Sequence, residues 1–444
     1  MKTEEKVRQY IASQRLLTAS GLHIVALSGG ADSVALLLIM LRLGYRVVAA
    51  HCNFQLRGSE SGRDEQFVAA LCEKLNVPLH LAHFDTKTYA ELHRLSIEMA
   101  ARQLRYHYFD QLRRDIGAEA VCVAHQADDA VETLLMNLMN GAGIHGLTGI
   151  RPRNGHVVRP LLCLTRQEVT DFLQSAGQDY VTDSTNLSPD TTLRNQIRLR
   201  LLPLMNTVLP GTSRNILRTA TFVEEAERVY NAAVSATADK VSRREGDILT
   251  IDTHALSTAP SPESILFELL TPLGFNSAQV ADICRHLAAN QPGRLFLSGT
   301  HELATANGQL VVSPCTPAFS PMSLPEPGTY RLCDGRRLRI ALSADVVISR
   351  QPNVATLDAA NIRFPLTIRR TAEGDRMHPY GLKGSKLVSD MMTDQRLTLL
   401  DKRRQLVVTD ASGQILWLVS RRTNHQFRIT SKTIQTLTIS LEEE

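Results

Sequence analysis

Between residue 20 and about residue 130, short β-rich apolar runs alternate with longer amphipathic ones. Ile24 to Leu27, Arg46 to Ala50, Leu79 to His83 and Ala120 to Ala124 are brief and β-rich, so they read as buried strands. Val34 to Arg42, Asp64 to Leu75 and Ile97 to Arg113 are long enough to wind as helices. This alternation predicts an α/β fold built from parallel β-α-β units. Ligands of such sheets bind outside the carboxyl ends of the strands, so the residues following each strand are the ones to examine for chemistry.

Downstream the pattern changes. Leu201 to Pro210 closes the first block, and residues 211 to about 255 are rich in Ala, Glu and Arg with few breakers, which predicts helices. Ser261 to Ala289 reads as helical as well. Five prolines at 314, 317, 321, 325 and 327 exclude a regular helix or a central strand there and mark a linker. Beyond them Leu366 to Arg370, Gln405 to Thr409 and Gln414 to Ser420 read as strands, with Asp410-Ala411-Ser412-Gly413 turning a hairpin. The expected domains are therefore residues 1–215, a parallel-sheet α/β domain; 216–312, small and mainly helical; 313–328, a Pro-rich linker; and 329–444, α+β.

A chain of 444 residues is too long for one ordinary core, in keeping with this division. No apolar stretch reaches membrane-spanning length, and the N-terminus, with Glu4, Glu5 and Lys6, lacks the apolar core of a signal peptide, so a cytoplasmic protein is expected. Seven scattered cysteines form neither a disulfide framework nor a Cys-x-x-Cys pair. The formal net charge is only +4, yet residues 361 to 440 hold 14 Lys or Arg against 6 Asp or Glu. A basic C-terminal block suggests a polyanionic partner, with nucleic acid the first candidate. The single tryptophan, Trp417, is expected in the core.

The chemistry is concentrated after the predicted strands. Leu27-Ser28-Gly29-Gly30-Ala31-Asp32-Ser33 joins the first strand to the first long apolar helix. Glycines let the backbone turn sharply, and free amides at a helix start attract anions. Ser28 and Ser33 add hydroxyls, and Asp32 replaces the lysine of a common phosphate loop, which points to phosphate bound with the help of Mg²⁺. His51 and Asn53 follow the second strand and are candidates to contact adenine or ribose. Glu98, Arg102 and Arg105 share one helical face; this is either a surface ion-pair row or a pair of arginines that neutralise phosphate charge. His125, Asp128, Asp129 and Glu132 fall at i, i+3, i+4 and i+7, which on a helix sets an imidazole and three carboxylates on one face. Such a face is suited to hold a metal and supply a base. Arg194 and Arg198 are one helical turn apart; they are either solvated arginines following a helix cap at Asp190 to Thr192 or a pair that faces an RNA backbone.

Ser-Gly-Gly-x-Asp-Ser resembles the PP-loop signature of the ATP pyrophosphatases, which split ATP between its α and β phosphates to adenylate a substrate. With His51, Asn53 and Arg57, Glu98 with Arg102 and Arg105, His125 to Thr133, Arg159-Pro160-Leu161-Leu162, Asp183 to Asn186, Arg194, Asn195, Arg198 and Gly374-Asp375-Arg376, the chain resembles the tRNA(Ile)-lysidine synthases. It departs from them at Phe54 and at Lys386-Leu387, where many relatives carry His and a Lys-Lys pair. The resemblance implies a Rossmann-like PP-loop domain, a helical domain that helps select the tRNA, and a basic C-terminal domain. It implies ATP as substrate, Mg²⁺, L-lysine, and a tRNA(Ile) with a CAU anticodon whose wobble cytidine is adenylated and then joined at C2 to lysine. The expected site is then Ser28 to Ser33, His51 and Asn53 for ATP, with Asp32 and Asp129 on the metal. Asp128 or Asp129 would be the base, assisted by Glu132 or His125, with Arg102 and Arg105 also catalytic. Arg194, Arg198, Lys383, Lys386, Arg403 and Arg404 would meet the tRNA. A related tRNA thiolase is the alternative, disfavoured by the lack of paired cysteines.

Overall fold

The computed structural model of the chain describes residues 2–56, 58–182, 192–289, 293–306, 308–380 and 384–442. Arg57, Asp183 to Asn186, Asp190 and Lys383, singled out in or beside the expected site, lie outside the described residues. The chain divides into two compact units, Met1–Tyr230 and Asn231–Glu444. The first unit thus continues past residue 215, and its boundary falls inside the helix Thr212–Val241.

The first unit opens with α1 (Thr3–Ser13), β1 (Leu22–Ala26), α2 (Ala31–Arg42), β2 (Arg46–Asn53), α3 (Ser59–Lys74) and β3 (Leu79–His83). There follow α4 (Thr86–His93), α5 (Ile97–Asp115), β4 (Ala120–Cys122), α6 (Ala127–Met139) and the short strands β5 (Arg153–Asn154) and β6 (Val157–Val158). The sheet order is β3-β2-β1-β4-β6-β5; all neighbours are parallel except the β5 and β6 hairpin. Strand side chains alternate between faces. Val25, Ala49 and Cys122 join the core against α2 and the helix Arg166–Ala176, whereas Ile24, Val48, Ala50 and Val121 meet Phe109 and Leu112 of α5. With helices on both faces, α2 is buried from Ser33 through Met40, which explains its continuous apolar run.

The turn between β1 and α2 needs its first glycine. Gly29 has φ +91°, and a Cβ there would sit 3.3 Å from Val68 Cγ2. Its carbonyl also accepts from Val181 N at 2.9 Å. Gly29→Ala is expected to cost roughly 1–2 kcal/mol from the backbone conformation alone. Urea unfolding would read this as a lower midpoint; an unchanged midpoint would contradict the geometry.

The second unit contains the expected helices, Pro262–Leu270 and Ser277–Ala288, and also a five-stranded antiparallel sheet built from Ser242–Glu245, Ile248–Asp252, Leu295–Leu297, His301–Ala306 and Gln309–Pro314. Those strands are short and lie among helix formers, so periodicity did not expose them. Its C-terminal part is α+β, with a five-stranded and a four-stranded sheet around a core containing Trp417, which is 1% exposed. The prolines divide: Pro317 and Pro321 lie in residues 315–321, which have no regular structure, and Met322–Leu324 is an edge strand, whereas Pro314 ends the inner strand Gln309–Pro314 and pairs with His301. All seven cysteines are free thiols. Among the described residues no helix is long and apolar enough to cross a membrane.

Candidate active site

β1 and β4 are neighbours whose connections lead to opposite sides of the sheet, β2 and β3 on one and β6 on the other. That is a topological switch point, where a crevice opens beyond the carboxyl ends. The glycine turn after β1 and the His125 segment after β4 emerge there side by side. Parallel pairing of Val25 with Cys122 sets them level.

The glycine turn is closed by Ser33, whose Oγ donates to Gly30 O at 2.9 Å and accepts from Ser28 N at 3.2 Å. Ser28 Oγ lies 3.1 Å from Ser33 Oγ and accepts from Gly30 N at 3.4 Å. Ser33 is therefore buried scaffolding, while Ser28 remains exposed. The first bond of α2 runs from Val34 N to Gly30 O at 3.0 Å. The amides of Ala31, Asp32 and Ser33 precede it and form an anion-binding start. Asp32 stands in the first turn, and burial, reinforced by the charges of Asp129 and Asp128, pushes its carboxyl up to about 6; Arg166 and Arg198 oppose the shift.

The acidic segment differs from the expectation in one respect. α6 begins at Ala127 with Gln126 as N-cap, so His125 lies just before the helix instead of on its face. Gln126 and Asp129 form a capping box: Gln126 N donates to Asp129 Oδ2 at 3.0 Å, and Asp128 N to Gln126 Oε1 at 2.7 Å. Asp128 Oδ2 accepts from Arg166 N at 2.8 Å. Glu132 is fully buried and ion-paired, with Arg198 Nε at 2.5 Å from Oε1, Nη2 at 2.9 Å from Oε2, and Arg194 Nε at 3.5 Å. At Glu132 burial outweighs the pairing and raises the carboxyl; at the less buried Arg198 the pairing prevails and raises the guanidinium.

Arg198 also reaches Asp129 Oδ1 at 3.3 Å, from a π-helical turn, Ile197–Leu201, that directs it inward. Arg194 donates to Thr133 at 2.7 Å. Both arginines, expected to face RNA, are thus turned toward α6. On α5, Arg102 stacks over Tyr106 at 5.1 Å and Arg105 over Phe54 at 5.1 Å; among the described residues neither is ion-paired with Glu98. Arg102 is close enough to lower the proton affinity of His125, whereas Arg105 is turned to the end of β2. His51 Nδ1 donates to Leu27 O at 2.8 Å. Asn53 is used within the fold: Nδ2 donates to Glu65 Oε2 at 2.7 Å, and Oδ1 accepts from Gln55 N at 3.0 Å.

In the second unit Arg404 is not a free cation. It donates to Ser313 Oγ at 2.7 Å, Thr316 Oγ1 at 3.0 Å and the buried Glu302 at 3.1 Å, so it ties strands together. Arg403 lies 3.5 Å from Glu302 and keeps a side chain 45% exposed. Lys386 is ion-paired with Asp394.

Arg159 carries more than the sequence reading assigned to it. It follows β6 directly and is 7% exposed; Nε donates to His125 Nδ1 at 3.1 Å and Nη1 to Arg151 O at 2.7 Å. Its position just after Val157-Val158 was the available signal, since strand ends build such sites.

Among the described residues no cluster of three His, Cys, Asp or Glu side chains suffices alone to hold a metal. Mg²⁺ does not need one, because it binds through one or two carboxylates together with phosphates and water. Asp32 and Asp129, whose like charges oppose each other, fit that role.

The sequence has known counterparts. A PP-loop domain model matches residues 1–205 and a TilS substrate binding domain model residues 244–315. A tRNA(Ile)-lysidine synthase of Bacteroides thetaiotaomicron is 42% identical over 97% of this chain and 97% of its own length. Its counterpart in Parabacteroides distasonis is 41% identical over 98% of each chain, and one in Porphyromonas gingivalis 38% identical over 96% of this chain and 95% of its own.

Proposed function

The chain belongs to the tRNA(Ile)-lysidine synthases, and from that premise we propose that it joins L-lysine to C2 of the wobble cytidine of a tRNA(Ile) with a CAU anticodon, through an adenylated cytidine. The observation that carries this reading is the meeting of an anion-binding helix start, its raised aspartate and the acidic start of α6 at one switch point.

In the first step the cytidine C2 oxygen attacks the α phosphate of ATP and pyrophosphate leaves. The amides of Ala31, Asp32 and Ser33 and the Ser28 hydroxyl hold phosphate oxygens, and Arg102 and Arg194 stand where negative charge grows. Asp32 and Asp129 would hold Mg²⁺, which supplies charge neutralisation for the departing pyrophosphate. In the second step the lysine amine displaces AMP, and a base must first take a proton from its ammonium.

Asp128 is best placed for that. Asp129 has both oxygens engaged, Glu132 is locked in its ion pairs, and Asp128 has one oxygen on Arg166 N while the other has no partner among the described residues. Asp128→Asn is expected to keep pyrophosphate release and tRNA affinity but to slow lysine transfer by roughly 10²–10⁴-fold. Adenylated tRNA should then accumulate in a single-turnover assay. Loss of pyrophosphate release, or normal transfer, would move the base elsewhere. Exposed cations of the second unit, including Arg403 and Arg422, support contact with the RNA backbone, while Arg404 is tied into the fold through Glu302.

A further inference from the structure

We propose that Arg159 is a positioning residue that fixes the ring proton of His125 on Nε2, making the imidazole a neutral hydrogen-bond donor to a phosphate oxygen of the reacting nucleotide instead of a base. A guanidinium nitrogen has only protons to offer. Arg159 Nε lies 3.1 Å from His125 Nδ1, so Nδ1 must present its lone pair. Arg159 is 7% exposed, and its Nη1 donates to Arg151 O at 2.7 Å, so a second bond holds the guanidinium in this orientation.

Burial first, opposed by the charge of Asp129 and aided by those of Arg159, Arg194 and Arg102, lowers the proton affinity of His125 to about 4. Near neutral pH the ring therefore carries one proton, and the bond from Arg159 leaves Nε2 as its only place. Nε2 has no partner among the described residues. Three guanidiniums near the ring make its surroundings suited to an anion. A neutral donor on Nε2 completes that surface without adding a charge. A base role is excluded by the same geometry, because one nitrogen is engaged and the other already protonated. The choice of phosphate as acceptor rests on the adenylation reading; the tautomer does not.

Long-range ¹⁵N–¹H NMR of the ring, with His125→Gln used to assign its signals, should show the Nε2-protonated neutral form in the wild-type chain at pH 7.5. Arg159→Met should give a mixture of tautomers and lower kcat roughly tenfold or more, with little change in KM for lysine. Arg159→Lys, which restores a donor, should recover both the tautomer and most of the rate. His125→Gln, whose amide places a donor near the Nε2 position, should exceed His125→Ala in rate by about tenfold. A proton on Nδ1 in the wild type, or an unchanged tautomer in Arg159→Met, would overturn the assignment. Equal rates for His125→Gln and His125→Ala with the tautomer as expected would overturn the donor role while leaving the adenylation chemistry standing.

Discussion

Asp32→Asn is expected to impair ligation, with kcat/KM for ATP falling by roughly 10²–10³-fold, and yet to give a more stable protein at pH 7.5. Both effects have one cause. Burial and the charges of Asp129 and Asp128 hold this carboxyl at about 6, above its ordinary value of 3.8, so the folded chain binds its proton more tightly than the unfolded chain does. The stabilisation from that proton is complete below pH 3.8 and is lost as the pH rises through about 6. Above that range the ionised carboxylate opposes folding, and an amide does not. Urea midpoints for the two proteins should therefore differ at pH 7.5 and converge as the pH falls below 5. A variant that is inactive and also less stable at pH 7.5 would mean that Asp32 is structural.

Arg198→Met is expected to destabilise the first unit by about 3–5 kcal/mol, the usual cost of stranding one member of a buried ion pair. Glu132 is fully buried, and its remaining neighbour Arg194 is 3.5 Å away. The stranded carboxylate would keep its proton to higher pH, because burial would act with less opposition. The penalty should thus be largest at alkaline pH and shrink in acid. Glu132→Gln in the same background should recover much of the loss, since the two positions are coupled and a neutral amide needs no counter-charge. Thermal unfolding of the single and double variants measures this directly; additive losses would mean that the pair is not a unit.

The first four strands of the parallel sheet were legible as bounded apolar runs, whereas the two-residue β6 and the strand order that creates the switch point were not. The glycine turn was legible for a local reason: the need for φ +91° at Gly29 is written as a glycine. Long-range pairings were not. Arg198 and Glu132 are 66 positions apart, so nothing near Arg198 in sequence signals that it faces a buried carboxylate instead of RNA. His125 was set on the helix because its spacing to Asp129 and Glu132 is helical; a glutamine N-cap, an uncommon choice, moved the helix start past it. The strands Ser242–Glu245 and Ile248–Asp252 were hidden next to a helix of 30 residues whose composition dominates any window around them. The basic C-terminal block was visible as charge, but its division into free cations and structural ones depends on partners such as Glu302, about a hundred positions from Arg404.

The central claim is that the switch-point site adenylates a tRNA base and passes it to lysine. The direct measurement is mass analysis of the wobble nucleoside from a CAU-anticodon tRNA(Ile) transcript incubated with the chain, ATP, Mg²⁺ and isotope-labelled L-lysine. The expected product is a cytidine carrying one labelled lysine at C2, formed with one AMP and one pyrophosphate, at a far lower rate when Asp32→Asn replaces the wild type. Unmodified cytidine, or lysine incorporated without AMP release, would contradict it.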